Sequence, residues 1–204
     1  DEWINSMLAG DEAKQELFSE VLKTRLISGS PYLVFIDNVN RQNPECYRER
    51  GLEVSTSNLC SEITLFTDDN HSFVCVLSSL NLARYDEWRD WRGQSGLSVP
   101  ELSTYFLDAV VEDFIHKASR ITSMGRAVRF AQKSRALGLG TMGLHLLYQK
   151  RGLPFASEEA RALNKEVHEF IKTEAETASK KLAEEYCEPE WCVGSGFRNS
   201  HLLA

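Results

Sequence analysis

The sequence predicts an α/β protein that is rich in helix and poor in strand. Three observations carry that prediction. Apolar residues recur at helical spacing over several long stretches, short apolar runs in the first half are bounded by turn residues, and only three or four strand candidates appear. A self-contained α/β sheet has about five or six strands. The shortage, an unfinished start and a strand beginning at the end predict a piece of a larger domain.

From Asp11 to Ile27, Ala13, Leu17, Phe18, Val21, Leu22 and Leu26 fall at helical spacing, and Gly29 and Pro31 end the helix. Tyr32–Ile36 is a short apolar run between Pro31 and Asp37-Asn38, the pattern of a buried strand. The polar stretch 38–56, with Pro44 and Gly51, predicts a long loop, a length that is often functional. Ser57–Leu65 alternates, Thr67–Ser72 is turn-like and Phe73–Leu77 returns, so a hairpin is expected over about 57–82. An irregular connection follows at 84–98. The helical part spans about 100–186: Pro100–Ser119, Leu137–Gln149, and Glu158–Tyr186 behind Ser157 as N-cap. The tail from Cys187 is irregular until Leu202-Leu203-Ala204, which reads as the start of a strand.

The composition is that of an ordinary soluble globular chain. It has 204 residues, 42% hydrophobic and 26% charged, with a formal net charge of -7. No apolar run approaches the roughly 18–20 residues of a membrane helix, so no membrane association is expected. The acidic balance argues against nucleic-acid backbones as partners, since these need clustered Lys and Arg. The start, DEWINSMLAG, has neither the basic nor the apolar region of a signal peptide. A cytoplasmic chain, or a piece of one, is predicted, and its five cysteines then point to free thiols, redox chemistry or metal.

Asn58-Leu59-Cys60-Ser61-Glu62 is the informative pentapeptide. In an extended strand Asn58, Cys60 and Glu62 would share one face, placing a thiol between an amide and a carboxylate. That face is either the wet side of an edge strand or a site where Cys60 reacts and Glu62 moves a proton. Cys75 follows 15 residues later, and a hairpin would bring it beside Cys60. Two unrelated buried thiols are the simpler alternative.

These residues carry a resemblance. STSNLCSEITL followed by VCVLSSLNLARYDEW resembles the active-site segment of the large subunit of ribonucleotide reductase. GSPYLVFIDNVNRQNP resembles the approach to that site. SRALGLGTMGLHLLYQKRGLPFASEEA resembles later barrel helices, and RNSHLLA the approach to a substrate-phosphate loop. The likeness runs from about Leu17 to Ala204 and is nearest class I enzymes of the T4-like phage and bacterial type. It implies part of a ten-stranded α/β barrel with a central finger hairpin, the whole of 1–204 belonging to that catalytic domain. It also implies reduction of ribonucleoside diphosphates through a thiyl radical. Cys60 would carry the radical, Glu62 would act as base, Asn58 would hold the sugar hydroxyls, and Cys75 would be one of two reducing thiols. Leu59 and Ser61 complete the substrate-binding stretch.

No cofactor is expected on this segment. The implied radical comes from a metal-containing small subunit, with ATP and dNTP effectors bound elsewhere in the full large subunit. The implied partners are the diphosphate substrate, the remaining large-subunit segments, the small subunit and a thioredoxin- or glutaredoxin-type reductant. If phage-encoded, the chain would work in the host cytoplasm. The family's second reducing cysteine has no counterpart here, and nothing matches Cys46 to that role. Alone the segment is expected to be inactive, with apolar edges that disfavour a monomer. A split subunit, a gene interrupted by a mobile element, and a processed or partial polypeptide all fit.

Two enzymatic or assembly rivals remain: a cobalamin-dependent reductase, which shares the Asn-x-Cys-x-Glu pattern, and a non-catalytic assembly module of a split reductase. Gly138-Leu139-Gly140-Thr141-Met142-Gly143 spells G-x-G-x-x-G, but RFAQKSRAL before it is a charged helical stretch rather than a buried strand. Close helix packing is the expected role of those glycines. Cys187 and Cys192 lack a second pair, so no metal is predicted.

Overall fold

A computed structural model of the chain describes residues 2–203, which fall in two compact units, 2–43 with 54–65, and 44–53 with 66–203. In the smaller unit, α1 (Glu2–Leu8) is followed by α2 (Glu12–Ser28) and α3 (Ile36–Gln42). Asp11 caps α2 by accepting from the Lys14 N–H at 3.2 Å, and Gly29, at φ 79°, ends it by donating to the Arg25 carbonyl. No side chain of α2 is buried, and Leu26 and Ile27 stay nearly 90% exposed.

Two expectations fail here. Tyr32–Ile36 forms no strand: Tyr32 to Phe35 are all exposed, and no strand comes alongside among the described residues. An apolar run becomes a strand only where another backbone satisfies its N–H and C=O groups. The 38–56 stretch is not a plain loop, because it holds most of α3 and, in the larger unit, α4 (Glu45–Arg48). Asn40 organises the smaller unit's share of it. Its amide accepts from the Val54 N–H at 2.8 Å and donates to the Val54 carbonyl at 3.0 Å, imitating a strand pair.

The larger unit is built on two short parallel strands, β1 (Leu77–Asn81) and β2 (Gly138–Met142), paired from Leu77↔Gly138 to Asn81↔Met142. Between them the chain runs through α5 (Tyr85–Trp88), α6 (Val99–Ala118) and α7 (Gly125–Ser134), the crossover a parallel pair requires. Then come α8 (Leu144–Lys150) and α9 (Glu158–Tyr186). The expected terminal strand is present as a parallel bridge, Leu139↔Leu203, with Leu139 N–H on the Leu202 carbonyl at 2.9 Å. Ala204 lies outside the described residues.

Helices α6 and α9 match the sequence because their ends are encoded locally. Ser98 and Glu101 form a reciprocal capping box on α6, and Ser157 accepts from Ala160 N–H at 3.1 Å on α9. Their apolar stripes, with Leu107, Val111 and Ile115 on α6 and Leu163, Val167 and Ile171 on α9, join Leu80, Leu82, Leu139 and Leu147 in one core.

The expected helix over Leu137–Gln149 is instead strand β2 followed by α8. Gly138 N–H donates to the Val76 carbonyl and Leu137 N–H to the His201 carbonyl, both at 2.9 Å. A tertiary partner on each side overrides the helical pattern. The glycines therefore serve strand packing, not helix packing. Gly143 turns the chain at φ 82°, and a Cβ there would lie 3.1 Å from Ala83 N and from Asn81 Oδ1. Gly143→Ala is expected to destabilise the protein by about 1–3 kcal/mol, measured as a shift of the urea midpoint.

Candidate active site

The Asn58–Glu62 pentapeptide is a tight turn and not an extended strand. Ser61 N–H donates to the Asn58 carbonyl at 3.1 Å, and Ser61 sits at φ 66°. A non-glycine residue in that region stores strain and persists only where its surroundings hold it. Here they do. Ser57 Oγ donates to the Ile63 carbonyl at 2.6 Å, and Asn58 Oδ1 accepts from the Ile63 N–H at 3.2 Å. Ile63 is buried, which anchors the closed loop.

Those bonds explain why the expected hairpin has no ladder. No residue from 57 to 76 is in a strand. The Ile63 backbone groups that a ladder would use are captured by Ser57 and Asn58 side chains. The shared-face argument is corrected accordingly: a turn, and not strand alternation, brings the amide and carboxylate together. Asn58 Nδ2 donates to Glu62 Oε1 at 2.7 Å. Leu59 and Cys60 occupy the two central turn positions and are exposed, Leu59 at 88%. The thiol is thus presented at the tip of a loop whose base is an amide–carboxylate pair.

Cys75 is exposed and lies two residues before β1 in the larger unit. The turn expected at Thr67–Ser72 is present. Asp68 Oδ1 accepts from the Asn70 and His71 N–H groups at 2.8 and 2.6 Å, and Asp68 N–H donates to the His71 carbonyl at 3.0 Å. Arg129 Nε of α7 holds the tip through the Asn70 carbonyl at 2.9 Å.

A buried charge network escaped the sequence reading. Asp108 on α6 accepts from Arg135 Nε and Nη2, each at 2.9 Å, and from Arg198 Nε at 2.9 Å. Asn199 Nδ2 adds a fourth bond to Oδ1 at 2.9 Å. Burial alone would raise the Asp108 carboxyl, but the hydrogen-bonded guanidiniums of Arg135 and Arg198 outweigh it and hold it below the usual carboxylate range. The network fixes the Arg198–His201 segment against α6 and the end of α7. Its partners lie 27, 90 and 91 positions apart, beyond the reach of any local motif.

His201 follows at once, its ring edge-on to buried Tyr47 with centroids 4.8 Å apart and Nδ1 3.0 Å from Ser200 Oγ. Burial pushes the imidazole down to about 4 and the Tyr47 phenol up to about 12. Because the folded His201 value lies below that of the unfolded chain, its contribution is complete above pH 6.5 and is lost as pH falls toward 4. The expected loss is about 2–3 kcal/mol across that window. Urea midpoints at pH 7 and pH 5 should differ in that sense, and His201→Gln should flatten the difference.

Cys187 is exposed and Cys192 is buried, and no group of three or more metal-ligating side chains occurs among the described residues. No helix among them is long and apolar enough to cross a membrane.

With this geometry in view, comparison decides the family. The ribonucleotide reductase barrel domain matches residues 8–202. The chain belongs to that family. A barrel-domain relative from Frog virus 3 (isolate Goorha), provisionally named a ribonucleoside-diphosphate reductase large subunit, is 42% identical over 191 residues, 93% of this chain and 33% of that protein. The vitamin B12-dependent ribonucleoside-diphosphate reductase of Mycobacterium tuberculosis (strain CDC 1551 / Oshkosh) is 37% identical over 174 residues, 83% of this chain and 23% of that one. The class Id ribonucleotide reductase alpha subunit of Actinobacillus ureae matches 99% of this chain and 38% of its own, at 40% identity and a TM-score of 0.92. The expectation of an α/β barrel segment therefore holds, in a chain that is rich in helix and carries a small sheet. The chain spans about a third of the length of the curated relatives it matches.

Proposed function

We propose that this chain is the part of a class I ribonucleoside-diphosphate reductase large subunit that carries the radical cysteine. The observation that supports it most is the closed loop 57–63, which exposes Cys60 above the Asn58–Glu62 hydrogen bond in a chain of this family. In this reading Cys60, oxidised to a thiyl radical by a separate metal-containing small subunit, takes the 3′ hydrogen of the ribose. Glu62 removes the 3′ hydroxyl proton, and Asn58 orients both the carboxylate and the sugar hydroxyls. Leu59 and Ser61 shape the turn around the substrate. The 2′ hydroxyl leaves as water. Two thiols, one of them Cys75, supply two electrons and become a disulfide, and the hydrogen returns to the 3′ carbon. A thioredoxin- or glutaredoxin-type protein resets that disulfide by exchange. The work is cytoplasmic, on nucleoside diphosphates, with effector nucleotides bound elsewhere in the complete subunit.

The 37% identity to a B12-dependent reductase supports a second reading, in which cobalamin supplies the radical. The complete large subunit, containing this segment, separates them. Deoxynucleoside diphosphate is expected with the small subunit and none with the cobalamin cofactor alone. Product with cobalamin and no small subunit would favour the second reading.

A further inference from the structure

The larger unit holds a second pair of sulfurs that the proposed chemistry does not use. Cys46, on α4, and Cys192, in the loop after α9, are both buried, at 5% and 0% exposure, and are near enough that each thiol shifts the other's ionisation. Cys192 Sγ also lies 3.9 Å from the Ser134 carbonyl at the end of α7. The two backbones are clamped on either side of the pair. Arg50 donates from Nη1 to the Cys46 carbonyl at 3.2 Å and from Nη2 to the Val193 carbonyl at 2.6 Å. Tyr47 and Trp191 pack edge-to-face with centroids 6.0 Å apart. Neighbours of both cysteines are thus already joined, which holds the two backbone segments side by side.

We propose that Cys46 and Cys192 form an oxidisable dithiol that closes to an intramolecular disulfide by exchange with small disulfides of the glutathione type. A cleft of about 400 Å³, lined by Pro44, Glu45, Cys46, Lys172 and His201 among others, gives the reagent a route to Cys46. Cys46 is the attacking group: the neighbouring Cys192 thiol draws it down, with Arg50 adding to the effect, whereas its sulfur partner and burial push Cys192 up. In the first step the Cys46 thiolate attacks one sulfur of the reagent, the reagent's S–S bond breaks, and one thiolate leaves. In the second, Cys192 passes its proton to a departing thiolate and attacks the Cys46 sulfur, expelling the other half of the reagent. Two protein thiols are oxidised to one disulfide and one reagent disulfide is reduced to two thiols. The product staples α4 to the loop beside the Arg198–His201 segment.

The test is exposure of the folded chain to oxidised glutathione, blocking of the remaining thiols with an alkylating agent, and mapping of the linked peptides by mass spectrometry. The expected product has lost two hydrogens and joins the Cys46 and Cys192 peptides, at least tenfold in excess over any bridge to Cys60, Cys75 or Cys187. Urea should abolish that preference. In Cys192→Ser the reaction should stop at a glutathione adduct on Cys46. Adducts confined to the exposed cysteines, with Cys46 and Cys192 still unreacted in the folded native chain, would overturn the proposal. So would a bridge between Cys187 and Cys192. Should the variant fail to fold, the peptide map of the native chain still separates these outcomes.

Discussion

Cys60→Ala in the complete large subunit is expected to lower nucleotide reduction by at least about 10³-fold, the scale on which loss of a reacting group acts. Alanine cannot hold a sulfur radical, and no other thiol stands in the 57–63 loop. The substitution is clean because Cys60 is exposed at the centre of a turn whose bonds come from other residues: Ser57, Asn58, Ser61 and Ile63. A surface change of this kind alters stability by about 0.5 kcal/mol or less. Assembly with the small subunit and the thermal midpoint should therefore be unchanged while product formation disappears. The rates to compare are those of deoxynucleoside diphosphate formation at saturating substrate. Equal rates would remove Cys60 from the chemistry.

Asp108→Ala is expected to have the largest effect on stability, about 3–5 kcal/mol, because it leaves the Arg135 and Arg198 guanidiniums without their shared partner. Arg135 is 5% exposed and cannot turn to water, and Glu112, which it meets at 2.8 Å, is itself largely solvated. For a chain of this size the thermal midpoint should fall by roughly 6–20 °C. The same carboxylate gives an acid limb to stability. Its folded value lies below the ordinary 3.8, so its contribution is present above that pH and is lost as pH falls through the lower folded value. That limb is distinct from the His201 window, which lies between pH 6.5 and 4. Calorimetry of Asp108→Ala with the acid titration would show both, and an unchanged midpoint would mean that the network contributes little.

What the sequence revealed depended on how locally each feature is encoded. Helices α2, α6 and α9 were legible because their apolar residues recur at helical spacing, and Ser157 marks the start of α9. The bridge at Leu203 was legible as the start of an apolar run. The turn at 58–61 was not, because Asn58, Cys60 and Glu62 alternate as a strand would, and only the capture of Ile63 by neighbouring side chains overrides that period. The pairing of Asn58 with Glu62 was nonetheless anticipated, since strand alternation and the actual turn both bring the two side chains together. β2 was hidden for the opposite reason. Gly138 and Gly140 carry no pattern, and the strand exists because β1 and the 201–203 segment lie on either side of it. Asp108 and the Cys46–Cys192 pair depend on contacts between distant positions, which spacing in a single sequence does not record.

The most direct measurement is reduction of a ribonucleoside diphosphate by the remaining large-subunit segments and the small subunit, with a dithiol reductant, in the presence and absence of this chain. The account predicts deoxynucleoside diphosphate only when the chain is present. Product formed without it, or none formed with it once assembly has been demonstrated, would contradict the claim that the reductase's radical cysteine resides here.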